Sequence, residues 1–447
     1  MLKLMPRYFL ISEIILAFIN QVEAQTSQTE RDSIAKLSHA DHQLMLQKLG
    51  IESLRPGPSG NPSAPNAANS DESKAKQYKE VPDPLVFENG SSVQSLEDWE
   101  RRKKELYGLF DLEMYGKTPA NLLKVNWIIV EEKDSLIGKQ EFRYRKLKGK
   151  VDNSFYPAIE VEIDFEYGVP KNTEEGVPLV MEFGWNWPAG MRRPAQQGPS
   201  WQEQLLQEGW AFGVIIPTSY QADHGAGLRA GIIGLVNEGQ PRKLDDWGTL
   251  KAWAWGASKA LDFLESDDLI NQEKIAIEGL SRYGKAALVA LAYEPRFSLG
   301  LIGSSGAGGA KLLRRIFGEQ IENLASSAEY HWFAPNFIKY AGPLNQNDLP
   351  IDAHELIALC APRPFFISVG SPEVEGQWID AKGMFEAGVL ASPVYQFLGM
   401  KGLPTSEFPP LGTFLKSGEI AFRQHEGGHT VGPNWPYFIE WAKKYWE

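Results

Sequence analysis

The chain has one cysteine, Cys360, among 447 residues, so no disulfide can form within it. Basic residues are in the minority: the formal net charge is −12, and no basic patch is supplied for a nucleic-acid backbone. Histidines number seven and are scattered, with no H-E-x-x-H and no cysteine pair, so no metal cluster and no cofactor motif is expected. Beyond the first residues no apolar run is long enough to cross a membrane. The chain does have an ample apolar fraction, 43%, and 14 tryptophans, a number that suits aromatic-lined pockets and is common in sugar-active proteins. Oligomeric state is not legible.

The start, MLKLMPRYFLISEIILAFINQVEAQ, has a basic end, a short apolar stretch and a small-x-small site before Gln25. Residues 1–24 therefore read as a secretory signal peptide, and the mature chain as secreted or periplasmic. Residues 25–90 are polar and Pro/Gly/Ser-rich, an extended segment of low order with one short helix over residues 40–49 and a Gly50 stop. Residues 91–447 read as a single catalytic domain. Its first part is a helix within residues 94–116 and antiparallel strands over residues 124–168. From about residue 177 strands and helices alternate, which implies a mostly parallel sheet covered on both faces. Sites in such sheets lie at the carboxyl ends of the strands.

Residues 274–290, KIAIEGLSRYGKAALVA, join an apolar strand to an Ala-rich helix through Gly279-Leu280-Ser281-Arg282-Tyr283-Gly284. Strand, Gly-flanked turn with a central serine, then helix is the setting of a nucleophile elbow in an α/β-hydrolase. A serine nucleophile needs a base, and the base an orienting acid. His429, in a Gly-rich loop between a late strand and the last helix, is the expected base, ahead of His425 at the strand end. The acid is expected after the strand PFFISVGS, where Glu375, Glu373 and Asp380 crowd one loop, in that order of preference.

The segment Gly279-Leu280-Ser281-Arg282-Tyr283-Gly284-Lys285 resembles the G-C-S-R-x-G-K elbow of the glucuronoyl esterases, carbohydrate esterase family fifteen. So do, in order, LKAWAWGAS, the Gly-rich GSSGAGG, YHWFAPNF, DAHELIAL and QWIDAKG, which together cover about residues 180–430. The resemblance implies the α/β-hydrolase fold, a three-layer α/β sandwich. Ser281 would attack the ester carbonyl of a 4-O-methyl-glucuronate unit, and Arg282 would help hold the oxyanion. Lys285 would bind sugar hydroxyls, Trp378 would pack on the sugar ring, and Gln320 and Glu329 would be further sugar contacts. The sequence departs from the family at the acid. One family position for it holds Ser304 and Ser305, the other holds Gly376, so Glu375 or Glu373 must substitute.

The leading reading is a secreted serine esterase that cleaves esters of glucuronic acid in glucuronoxylan and lignin–carbohydrate material. Its partner would be a glucuronic acid-containing carbohydrate ester, with no nucleic acid. The alternatives are an acetylxylan or related carbohydrate esterase, and a hydrolase homologue that binds acidic polysaccharide without turnover.

Overall fold

A computed structural model describes the chain except residues 1–7, 77, 79, 120–122 and 186–197, and without the side chains of residues 8–27. The signal-peptide reading lies almost wholly outside the described side chains. Among the described residues no helix is long and apolar enough to cross a membrane.

Among the described residues ten strands form one sheet: β1 (Val125–Ile137), β2 (Gln140–Val151), β3 (Glu162–Pro170), β4 (Val177–Phe183), β5 (Ala211–Ile216), β6 (Ile270–Leu280), β7 (Leu299–Gly303), β8 (Phe365–Val369), β9 (Phe414–Leu415) and β10 (Ile420–Gln424). Their order is β1-β2-β3-β5-β4-β6-β7-β8-β10-β9. The run from β5 through β4, β6, β7 and β8 to β10 is parallel, and β1–β3 are antiparallel, as the sequence pattern implies. The two-residue edge strand β9 is too short to leave a pattern in the sequence.

Successive strand residues face two separate cores, the period-two geometry of a pleated strand. Leu179, Met181, Ile275, Ile277, Phe365, Ile367, Ile420 and Phe422 join the core shared with the helices Thr249–Leu264, Arg282–Tyr293, Ala353–Cys360 and Ala381–Phe397. Val180, Ala276, Phe366 and Ala421 point the other way, onto the helices Trp201–Gln207 and Trp435–Trp446, where Trp201 and Trp435 stack at 5.1 Å. Layers on both faces of a mostly parallel sheet make this a three-layer α/β sandwich, the architecture expected of an α/β-hydrolase.

The N-terminal helix runs over Tyr8–Leu49, far longer than the expected residues 40–49. Residues 28–37 on it are almost all exposed and carry no apolar period, so nothing in the sequence marks them as helical. Its last turns are packed: Met45 and Leu46 are buried, Tyr330 Oη donates to Asp41 Oδ2 at 2.9 Å, and Ala226 N–H donates to Ser38 Oγ at 3.0 Å.

Candidate active site

Ser281 stands where β6 ends and the helix Arg282–Tyr293 begins, with φ 63° and ψ −127°, a left-handed conformation that a non-glycine residue adopts only under constraint. Its N–H donates to the Gly303 carbonyl at the end of β7 (2.8 Å), and its own carbonyl accepts from Lys285 N–H (3.0 Å). Two glycines make the turn sterically feasible. A Cβ at Gly279 would stand 2.2 Å from the Tyr283 carbonyl oxygen, and one at Gly284 2.5 Å from the Gly303 oxygen. This explains why Tyr283 departs from the G-x-S-x-G pattern. The close backbone approach to β7 falls one residue later, at Gly284. Tyr283 itself is buried against Trp185 and Trp253, at ring distances of 4.6 and 5.1 Å.

The loops after β8 and β10 are stitched together. Ser371 N–H donates to Gly427 O, and His425 N–H to Val369 O, each at 2.8 Å. This stitching brings His429 Nδ1 to 2.6 Å from Glu375 Oε1. The other oxygen of that carboxylate accepts from Gly370 N–H, also at 2.6 Å, and the Glu375 side chain is fully buried. A carboxylate only accepts, so Nδ1 carries the proton and Nε2 is left free to take one. Val431, two residues beyond His429, fills the space a Cβ at Gly303 would take, with its Cγ1 2.3 Å from that point, and the Gly303 carbonyl holds the Ser281 turn. Ser281, Glu375 and His429 thus lie at the carboxyl ends of β6, β8 and β10.

The competing residues stand apart from the Glu375–His429 pair. Glu373 is exposed. Asp380 caps the helix Ala381–Phe397 and pairs with buried Arg315 at 3.0 Å. His425 is a loop fixture: Nε2 faces the Thr430 carbonyl at 2.8 Å and Nδ1 accepts from Gly427 N–H at 3.0 Å. Ser305, in the Gly-rich segment, is buried, and its hydroxyl accepts from Ala310 N–H.

Of the remaining expected residues, Arg282, Lys285 and Glu329 share one cluster of charges on the helix side of the elbow, and Trp378 stands by His429. Arg282 extends over the faces of Trp332 and Trp185, 5.3 and 5.8 Å to the ring centroids, and donates Nη1 to Asp223 Oδ2. Lys285 is buried, donates Nζ to the Ser305 carbonyl at 2.8 Å and reaches Glu319 Oε2 at 3.4 Å. Trp378 is 39% exposed, tied by Nε1 to Glu375 O at 2.8 Å, with its ring 5.4 Å from that of His429. Glu329 carries an unpartnered buried Oε2, and burial with the nearby Glu319 charge pushes its carboxyl up to about 7. Gln320 is buried, and its side chain lies 3.4 Å from the Gly318 carbonyl at the start of the short helix Ile321–Leu324.

A family model described as glucuronyl esterase, fungi, matches residues 242–399. The carbohydrate esterase MZ0003 of an unknown prokaryotic organism is 33% identical over 410 residues, which span 85% of this chain and 92% of that one. A CE15 glucuronoyl esterase from Teredinibacter turnerae superposes with a TM-score of 0.87 at 42% identity, over 92% of this chain and all of the other. The chain belongs to the glucuronoyl esterase family. A 4-O-methyl-glucuronoyl methylesterase of Schizophyllum commune is 28% identical over 330 residues, 72% of this chain and 74% of its own. The chain is therefore a carboxylic ester hydrolase.

Three residues beside the candidate site, Asp223, Glu319 and Trp185, left no signal in the sequence. Asp223 lies in an irregular loop after β5 and gathers Arg282, His331 Nε2 (3.0 Å) and Trp332 Nε1 (2.7 Å) on one carboxylate. Glu319 and Trp185 stand beside Lys285 and Arg282. All three come from segments without periodicity or motif, and only the folded chain puts them against Arg282 and Lys285.

Proposed function

We propose that the chain hydrolyses esters of (4-O-methyl-)glucuronic acid through an acyl-enzyme on Ser281. The observation that carries this reading is the Glu375–His429 pair in the loops after β8 and β10, together with the serine turn after β6, since the pair leaves Nε2 as a base. Ser281 Oγ attacks the ester carbonyl as His429 takes its proton. The same imidazolium then gives the proton to the departing alcohol, and water repeats the sequence in reverse. Glu375 fixes the tautomer and stabilises the imidazolium. The backbone N–H groups at the start of the helix Arg282–Tyr293, with the Arg282 guanidinium, face the developing oxyanion. Lys285, Gln320, Glu329 and exposed Trp378 hold the sugar. Lys285 has an N–H left beyond the two that meet Ser305 and Glu319.

Residues 91–447 form the catalytic domain in this reading, residues 25–90 an N-terminal segment ahead of it, and residues 1–24 a signal peptide that sends the mature chain to the periplasm or beyond. Hydrolysis of benzyl glucuronate beside an aryl acetate tests the substrate class. Preference for the glucuronate, abolished by Ser281→Ala, is expected. Preference for acetate supports the acetylxylan-type alternative, and no turnover of either supports the binding-only one.

A further inference from the structure

Hydrolysis of a glucuronate ester changes the charge of the bound molecule at the atom where chemistry happens. The substrate carbonyl is neutral, whereas the product at neutral pH is a carboxylate. A cation left bare at that point would bind the product more tightly than the substrate and slow each turnover at release.

The two cations beside Ser281 are not bare. Arg282 donates to Asp223, and Lys285 stands 3.4 Å from Glu319. Two carboxylates thus offset two positive charges, and the Glu329 carboxyl, pushed up to about 7, is partly ionised at neutral pH and can only add negative charge. Asp223 is built to stay ionised. Burial alone would raise its carboxyl, but the hydrogen bonds and charge of its neighbours outweigh that and hold it below the usual carboxylate range. Burial lowers His331, whose Nδ1 has no partner, so the imidazole is neutral and Arg282 is the charge that matters. Asp223 Oδ1 is occupied by Trp332 Nε1 and His331 Nε2 and Oδ2 by Arg282, a fixed three-donor clamp.

We propose that Asp223 is a specificity-determining residue of this esterase. It holds the Arg282 guanidinium in place while neutralising its charge, so the site takes the neutral ester and lets the anionic acid go. The guanidinium still directs N–H groups toward the developing oxyanion, which needs oriented donors more than net charge. The inference rests on the glucuronoyl ester reading given above.

The test compares inhibition of methyl glucuronate turnover by free glucuronate and by its uncharged analogue glucuronamide, in wild type and in Asp223→Asn. Wild type should bind the two inhibitors within about threefold of each other. In Asp223→Asn, glucuronate should bind about tenfold more tightly, the effect of one uncovered charge in a partly wetted site, and the gain should shrink in high salt. Glucuronamide binding should hold, and kcat should fall as Arg282 loses its anchor. A merely structural defect would weaken both inhibitors together, and that result overturns the proposal. Should Asp223→Asn fail to fold, the wild-type comparison decides alone: glucuronate held more than tenfold tighter than glucuronamide refutes a neutralised site. Absence of methyl glucuronate turnover by wild type would instead sink the functional reading itself.

Discussion

Replacing Glu375 with glutamine removes one charge and almost no volume, and the surroundings show why the change should be severe. The two carboxylate oxygens each accept from a different N–H, His429 Nδ1 and Gly370 N, both at 2.6 Å. Glutamine has one oxygen and one NH₂. If the oxygen meets Gly370, the NH₂ faces His429 and selects the tautomer with Nε2 protonated, which cannot accept from Ser281. If the oxygen meets His429, two N–H groups oppose each other in a fully buried position. The first arrangement destroys the base, and the second leaves an unsatisfied buried donor and loses the charge that stabilises the imidazolium. Loss of an orienting acid of this kind lowers kcat by about 10³ to 10⁴, or about 4–5.5 kcal/mol of transition-state stabilisation. Steady-state hydrolysis of benzyl glucuronate by wild type, Glu375→Gln and Glu373→Gln, with thermal melts to check folding, measures it. KM should change little in Glu375→Gln, and exposed Glu373 should tolerate its substitution. A fall of less than tenfold for Glu375→Gln, or an equal fall for Glu373→Gln, refutes the reasoning.

Other perturbations have equally definite outcomes. Gly279→Ala places a Cβ 2.2 Å from a backbone oxygen that cannot move without breaking the turn, so it should yield little soluble protein or a melt lowered by several degrees. Ser281 makes no capping hydrogen bond and sits at φ 63°, so Ser281→Gly should be more stable than Ser281→Ala by about 1 kcal/mol in denaturant titrations, although both are inactive. The Glu329 carboxyl is pushed up to about 7 from an ordinary 4.5. The folded chain then binds more protons than the unfolded one between those values, and its stability contribution falls as pH rises from about 4.5 to about 7. Melts across that window should show the decline in wild type and a flatter profile in Glu329→Gln.

The alternation of strands and helices from residue 177 onward was legible because each strand is short, apolar and bounded by turns, and the cores on both faces demand that pattern. The elbow was legible because the steric demands at positions 279 and 284 can be met only by glycine. His429 and Glu375 could be ranked from their loops, but two acids and a second histidine stayed in contention. What separates them is the partner each side chain meets in the fold, a tertiary property. Asp223 left no trace at all: it stands 58 residues before Ser281 in an irregular loop, and only the fold makes it the acceptor for Arg282, His331 and Trp332. The N-terminal helix was underread for the opposite reason. Its exposed residues have no face to bury, and its packed turns are held by tertiary contacts such as Tyr330 to Asp41.

In the proposed reaction Ser281 carries the acyl group. Mixing the mature chain with benzyl glucuronate, quenching in acid within the first turnover and measuring the intact mass tests it most directly. A mass gain of one glucuronoyl unit, mapped to the peptide that contains Ser281 and absent from Ser281→Ala, is the predicted result. Benzyl alcohol release that persists in Ser281→Ala, or an acyl group on any other residue, would contradict it.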